Sequence, residues 1–557
     1  MPSSPWPKRR AENHQRTPRM AGAKFYLTTP IYYVNDSPHL GHAYTSVACD
    51  ALARFKRLDG DRVLFLTGTD EHGQKVAKSA RDASVDAQTF CDRVSENFRA
   101  MTALMNISND QFIRTTEPRH IVASQAIWQA IAKSKSPKGR DNLYLGKYSG
   151  WYAVRDEAFY GEDEITEGPD GKKHAPSGAE VEWVEEPSYF FRLSDWQDWL
   201  LEHYKRHPDF IGPASRRNEV TSFIKSGLTD LSVSRTSFSW GVPVPGDEKH
   251  VMYVWLDALT NYLTAVGYPD TTSADFKTFW PADIHVVGKD IVRFHCVYWP
   301  AFLAAAGLDL PKRVFAHGWW TVEGQKMSKS LGNFIAPQQL VDEYGVDAVR
   351  YFMLRELPFG ADGDFSHRAV VGRINGDLAN DFGNLAQRVL SFVNKNCGGQ
   401  IPSVGQLRQE DRNLLDDARR RTYRAVKADL TNLDEKGQKK QMLDLSPAFH
   451  QALETIWSLV SEANSYVDAQ APWKLRTTDS LRMNTVLYVL CEVLRSLGIL
   501  AQPFVPQAAA KLLDQLAVPD DFVHRCFNAL EAHPLKAETQ LPKPVGIFPR
   551  YVEAVAS

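Results

Sequence analysis

Cysteine is scarce in this chain. The six thiols, Cys49, Cys91, Cys296, Cys397, Cys491 and Cys526, are far apart and include no C-x-x-C pair. That excludes a disulfide framework and suits reduced, mostly buried thiols. No charge of one sign dominates: 65 Lys and Arg stand against 67 Asp and Glu. Any contact with nucleic acid must therefore rest on local patches. No apolar run reaches the ~20 residues of a membrane span. Internal repeats are lacking, and so are the two common phosphate-binding glycine patterns, G-x-x-x-x-G-K-[ST] and G-x-G-x-x-G. Phosphate, if bound, must be held by other means.

The remaining composition is ordinary for a soluble globular protein, and 557 residues suffice for about three or four domains. Residues 1–22 are rich in Pro, Ser and basic side chains, including Lys8, Arg9, Arg10, Arg16 and Arg19. A transit peptide would be longer and amphipathic, so a disordered tail is expected, with Met20 as an alternative start.

From 23 to 135, strand and helix patterns alternate. Phe25–Thr29 and Arg62–Thr67 read as buried parallel strands, and Ala43–Leu58 and Glu117–Ala132 as helices. From 136 to 238 the texture changes to Gly, Pro and acidic turns between aromatic-rich strands, as in Gly150–Val154 and Ser188–Leu193. The α/β pattern resumes over 239–320, around Val251–Trp255 and Ile284–Gly288, and a linking region covers 321–366. Helical spacing then dominates 367–518. The segment 519–557 is irregular, Pro-punctuated and expected to pack back on the body. The fold class expected is an α/β doubly wound, Rossmann-like catalytic domain, split by a small inserted domain and followed by an α-helical bundle.

Four constellations carry chemistry. His39-Leu40-Gly41-His42 lies between a strand and a helix, where backbone N–H groups and the helix dipole favour an anion. Gly41 allows close approach. The plain alternative is a polar helix cap with two surface imidazoles. Lys326-Met327-Ser328-Lys329-Ser330, on a glycine-flanked loop, offers two ammonium groups and two hydroxyls to a polyphosphate; otherwise it is a solvated basic loop. Gly68-Thr69-Asp70-Glu71-His72-Gly73 follows a strand, where open α/β sheets bind ligands, and its carboxylate suits an ammonium group or a simple Asx-type turn. In Gly288-Lys289-Asp290-Ile291-Val292-Arg293-Phe294-His295, Asp290 suits ribose hydroxyls. Lys289 and Arg293 face phosphate or solvent, and His295 is either a ligand or a satisfied core histidine.

In this order the first two segments resemble the paired signature of class I aminoacyl-tRNA synthetases. With Thr28–Asn35, GTDEHG, Tyr253–Ala258 and GKDIVRFH added, residues 24–515 resemble the methionyl-tRNA synthetase family. The resemblance implies ATP-dependent activation of L-methionine and its transfer to tRNA(Met), the initiator included, with Mg2+ accompanying ATP. It implies a methionine pocket of Pro30, Ile31, Tyr33, Trp255, Ala258, Tyr262, Ile291 and His295, with Asp70 on the substrate ammonium. ATP falls to His39, Gly41, His42, Gly288, Asp290, Lys326, Ser328 and Lys329, of which His39, His42, Lys326 and Lys329 are catalytic. A thioether suits such aromatic, polarisable walls. In the helical domain, Asn384 and Arg388, four apart on one face, and Trp473 match the family's anticodon-reading residues; on chemistry alone Asn384 is a cap and Trp473 is core.

Two departures matter. Many relatives begin a zinc knuckle with C-x-x-C after Gly-Trp-Tyr; here Gly150-Trp151-Tyr152 is followed by Ala153-Val154-Arg155-Asp156, and His174 alone cannot supply about four ligands. No structural zinc is expected, and the insertion should be held by packing around Trp151, Tyr152, Trp183 and Phe191. Nothing after Ala517 resembles the dimer-forming C-terminal domain of some relatives, so a cytoplasmic monomer is expected. Two rivals stand against this reading. A smaller H-x-G-H nucleotidyltransferase needs no long helical bundle. A non-catalytic RNA-binding paralogue needs no intact His39, His42, Asp70, Lys326 and Lys329.

Overall fold

The computed structural model describes residues 22–34, 37–155, 158–168, 171–326, 334–431 and 447–553; the 1–21 tail, Ser328 and Lys329 lie outside them. The chain runs through β1 (Lys24–Thr28), α1 (Leu40–Leu58), β2 (Arg62–Asp70), β3 (Gln111–Arg114) and α2 (Pro118–Lys133). An antiparallel hairpin follows, β4 (Leu143–Ala153) and β5 (Glu182–Phe191). The chain then returns through α3 (Val254–Thr264), β6 (Ile284–Gly288) and β7 (Val314–His317).

All seven strands of the large sheet are parallel. The order is Ile211–Gly212, β7, β6, β1, β2, with Tyr32–Tyr33 and β3 both pairing with β2. Leu27 pairs with Phe65 on one side and with Ile284 on the other. From Leu64 to Asp70, β2 is buried throughout, as a strand covered on both faces requires. Gly68 has no room for a side chain: a Cβ would lie 2.1 Å from the Ile113 carbonyl oxygen of β3. The strand order reverses at β1, which puts the topological switch point, where open α/β sheets bind ligands, outside the carboxyl ends of β1 and β6.

Within the expected 136–238 insertion, Ile211–Gly212 already belongs to the large sheet, pairing with Val314 and Phe315. So short a strand, followed by Pro213, leaves no periodic pattern to read. The packing of the insertion also differs from expectation. Trp151 and Trp183 meet edge to face at 5.3 Å, but Trp183 is 53% exposed. The small local core is Ala153, Ala175, Ala179 and Val181, and Phe191 packs on Phe302 of the main body.

Past β7, a three-stranded sheet forms from β8 (Trp320–Val322), β9 (Gln325–Lys326) and β10 (Gly363–Phe365), with α4 (Val346–Arg355) between the last two strands. The helical part includes α5 (Asn384–Asn396), α6 (Gln409–Asp416), α7 (Phe449–Gln470), α8 (Pro472–Thr478) and α9 (Ser480–Ala501). Helix α9 bears on the expectation about apolar runs. Its 22 residues are long and apolar enough to cross a membrane, yet 89% of the apolar window is buried inside the molecule. Its charges broke the sequence pattern but are paired in the core, Arg495 with Glu492 at 3.0 Å. Beyond the bundle, Phe527 N–H donates to the Leu58 carbonyl, and its ring lies 4.9 Å from Phe55 on the rear of α1.

Candidate active site

The site is built from chain ends that meet at the mouth of the large sheet. His39 is the N-cap of α1, with extended backbone, and its Nδ1 accepts from Gly41 N–H at 3.0 Å. His42 returns the contact, its Nδ1 accepting from His39 N–H at 3.2 Å. The two rings stack with centroids 3.7 Å apart. This is a reciprocal cap made of imidazoles. Loss of solvent, and then the neighbouring His39, push the His42 pKa well below the usual imidazole range. The ring is therefore neutral at pH 7, with Nδ1 spent as an acceptor and the proton left on Nε2. Gly41 is required by His39 itself: a Cβ there would lie 3.0 Å from the His39 ring.

The chain that follows the lysine-rich segment returns beside this cap. Lys326 closes β9, paired with Thr321. Where the described chain resumes, Phe334 sets its ring edge-on to His39 at 6.1 Å, and the Ile335 carbonyl accepts from Leu40 N–H at 3.2 Å. The described residues that follow the lysine-rich segment are thus neighbours of the cap.

Behind the cap, β2 delivers Asp70, nearly buried, opposite Tyr33 in the register. Pro30 and Ile31 lie in the turn after β1, where Thr29 Oγ1 donates to the Pro30 carbonyl at 2.8 Å. Tyr32 turns inward and donates to the His42 carbonyl at 3.2 Å, leaving Tyr33 on the opposite, half-buried side. Helix α3 supplies Trp255, Ala258 and Tyr262 at helical spacing. Trp255 stacks on Phe294, and Tyr262 O–H donates to His295 Nε2 at 2.7 Å. His295 Nδ1–H in turn donates to the Ile291 carbonyl at 3.0 Å, which fixes the tautomer. Burial pushes its pKa down to about 4. His295 is thus a buried, neutral ring joined to Tyr262, an arrangement that fits both sequence readings of it.

At the end of β6, Gly288 lets Asp290 turn back: a Cβ would lie 2.5 Å from Asp290 Oδ1. Asp290 is exposed and accepts from Trp319 Nε1–H at 3.2 Å. Lys289 is tied to Asp362 at 2.6 Å, and Arg293 lies over the Phe223 ring at 4.4 Å, so each already has a partner within the protein.

Residue spacing did not reveal the buried support. Asp257 accepts from His72 Nδ1–H at 2.6 Å and from His120 Nε2–H at 2.8 Å. Burial opposes its ionisation, but the two imidazoles outweigh it and hold the carboxyl well below the ordinary range. Glu71, also buried, receives two hydrogen bonds from Arg114, at 2.7 and 2.9 Å. Asp257 and His72 sat inside quoted motifs, a signal that could have found them; His120 carried none.

The anticodon candidates lie on the bundle. Asn384 is exposed at the start of α5, and Arg388 Nη2 is 2.8 Å from Asp468 Oδ1 near the end of α7. Trp473, in α8, is 44% exposed, which removes the reading of it as core. Among the described residues, no group of three or more His, Cys, Asp or Glu is arranged to hold a metal ion.

With this geometry in place, comparison with known proteins is direct. Residues 25–390 match the family model for tRNA synthetases class I (M), and 401–550 match the anticodon binding domain of methionyl tRNA ligase. The methionine--tRNA ligase of Brucella suis is 55% identical over 535 residues, 96% of this chain and 99% of the relative. That of Rickettsia bellii is 53% identical over 530 residues, 95% and 99%. A solved structure of Mycobacterium tuberculosis methionyl-tRNA synthetase in complex with methionyl-adenylate superposes with a TM-score of 0.87 at 49% identity, covering 95% of this chain and all of that one. Full-length identity at this level, both family models and the crevice at the β1–β6 switch agree, and the chain belongs to the methionyl-tRNA synthetase family of class I aminoacyl-tRNA synthetases.

Proposed function

We propose that the crevice activates L-methionine with Mg-ATP to enzyme-bound methionyl-adenylate and passes the methionyl group to the 3′ end of tRNA with a CAU anticodon, elongator and initiator alike. The observation that carries this reading is the Tyr262–His295 pair, 2.7 Å apart in the core of the crevice. With its donors spent on each other and on the Ile291 carbonyl, the pair leaves a neutral, rigid aromatic wall, which suits a thioether and not a charged or strongly hydrated side chain.

Asp70 takes the α-ammonium, and Trp255, Ala258, Ile31, Ile291, Pro30 and Tyr33 enclose the side chain. Attack by the methionine carboxylate on the α-phosphorus expels pyrophosphate. The His39 and His42 Nε2–H groups donate to the phosphate oxygens, where charge develops. Lys326 and Lys329, with Ser328, neutralise the leaving pyrophosphate, and Asp290 holds ribose hydroxyls. The terminal ribose hydroxyl of tRNA then attacks the adenylate carbonyl and AMP departs. No side chain becomes a covalent intermediate; catalysis is positioning and charge stabilisation. Asn384 and Arg388 hydrogen-bond anticodon base edges and Trp473 stacks a base. The chain acts as a cytoplasmic monomer, without structural zinc.

Methionine-dependent ATP–pyrophosphate exchange, followed by charging of a CAU-anticodon transcript, tests the proposal. Exchange with another amino acid at comparable efficiency, or none with methionine, overturns it.

A further inference from the structure

Trp473 is an unusual residue to find ordered on a surface. Its helix α8 has only seven residues, yet it fills a corner between the two 22-residue helices α7 and α9. The corner turns at Ala471, whose backbone is left-handed (φ 44°), a conformation that a non-glycine residue adopts only under constraint. Exposed short helices between long ones are ordinarily frayed. Something must hold this one.

The constraint is a guanidinium. Arg482, in the first turn of α9, is only 6% exposed. It forms two hydrogen bonds to Asp411 of α6, which is fully buried, and its Nη2–H donates to Gln470 Oε1 at 2.6 Å. Tyr466, one turn earlier on α7, donates to the same Asp411 at 2.6 Å. Gln470 is the last residue of α7 and immediately precedes Ala471. The fork of Arg482 therefore joins α6, α9 and the side chain at the exit of α7. A planar guanidinium held through both Nη groups has little freedom to swing.

We infer that Gln470, held by Arg482 and Asp411, is a positioning residue for the anticodon platform, setting the direction in which α8 presents Trp473. The inference rests on the reading of Trp473 as a base-stacking residue. A long ring stacks only if its plane is fixed before the base arrives, because ordering it on binding costs affinity. Gln470 itself touches neither nucleotide nor substrate.

The test is a cycle on purified full-length protein with a CAU-anticodon transcript. Gln470→Met keeps volume and helix preference but loses the acceptor; Gln470→Glu keeps an acceptor for Arg482. The expected result for Gln470→Met is a roughly 3- to 10-fold lower kcat/KM for tRNA, the equivalent of one net hydrogen bond. Methionine-dependent exchange stays unchanged, the melting temperature falls by no more than about 2–4 °C, and Gln470→Glu restores the tRNA parameters. In Gln470→Met/Trp473→Ala the loss equals that of Trp473→Ala alone, because Gln470 acts through the ring. Normal tRNA kinetics in Gln470→Met, or an additive double mutant, overturns the positioning role. Normal tRNA kinetics in Trp473→Ala overturns the anticodon reading instead, so the two failures are separable.

Discussion

The guanidinium of Arg350 lies 2.7 Å from the carboxylate of Asp50, and neither side chain is exposed to solvent. Asp50 belongs to α1, the helix that His39 caps. Arg350, on α4, also donates to the carbonyls of Phe504 and Met105 at 3.0 Å and of Pro503 at 2.9 Å. One side chain therefore fastens α1 to the segment that follows α9. Arg350→Met should leave the carboxylate buried without this partner, at a cost of about 3–5 kcal/mol. Urea denaturation measures it, and a change below about 1 kcal/mol contradicts the role.

Removing Lys329 should act on the departing pyrophosphate rather than on the amino acid. Lys329→Ala is expected to slow adenylation by about 10- to 1,000-fold with methionine affinity nearly unchanged. Stopped-flow adenylation with methionine titration checks this. An equal fall in methionine binding would assign Lys329 another task.

The two ends of the molecule should separate cleanly. Trp473→Ala is expected to leave exchange near wild type and to weaken aminoacylation by ~1–3 kcal/mol, the value of one base stack. Comparison of both activities and of the melting temperature decides it. Parallel loss of both reactions with a lowered melting temperature refutes the anticodon assignment.

The pocket histidine gives a pH signature. His295 has a folded pKa pushed down to about 4, below the ~6.5 of an unfolded imidazole, so the unfolded state binds more protons between those values. Its contribution to stability is complete above about pH 6.5 and is lost as pH falls toward 4. His42, His285 and His317 are shifted in the same direction by burial. Thermal melts should therefore show a lower melting temperature at pH 5 than at pH 7. Tyr262→Phe, which takes the donor from His295, should weaken methionine by about 1–2 kcal/mol; equal pH 5 and pH 7 melts, or unchanged methionine binding, would count against this account.

Metal content is the simplest check. Gly150-Trp151-Tyr152 leads into Ala153 and Val154 and not into thiolates, so the purified protein should carry no stoichiometric zinc. About one zinc per chain after mild chelation would show that other ligands are used.

The parts of this molecule that repeat locally were readable. The strand–loop–helix leading into His39, the buried run of β2 and the spacing of α9 each announce themselves within a few residues, and no end differs by more than three positions. What could not be read was pairing between distant segments. Asp257 meets His72 and His120 because three elements of the α/β body converge behind the crevice, and no period along one chain encodes that. Ile211–Gly212 is a strand only because β7 lies beside it. Trp183 looked like core, by hydrophobicity, yet it faces solvent on a thin hairpin that has too little body to cover it.

The reciprocal cap of α1 has one more implication. Each imidazole has two nitrogens on opposite sides of one rigid ring, and here the inner one is committed to the backbone. The outer one is left as a one-way group: it gives a proton to a hydrogen bond but has no lone pair with which to take one. Asparagine would satisfy the helix but has no second, outward edge at that reach, and lysine would meet the phosphate but leave the helix end bare. A ring that faces both ways lets the same two side chains terminate a helix and, in the proposed reaction, meet the phosphates, so a substitution made to test the chemistry here also uncaps the helix.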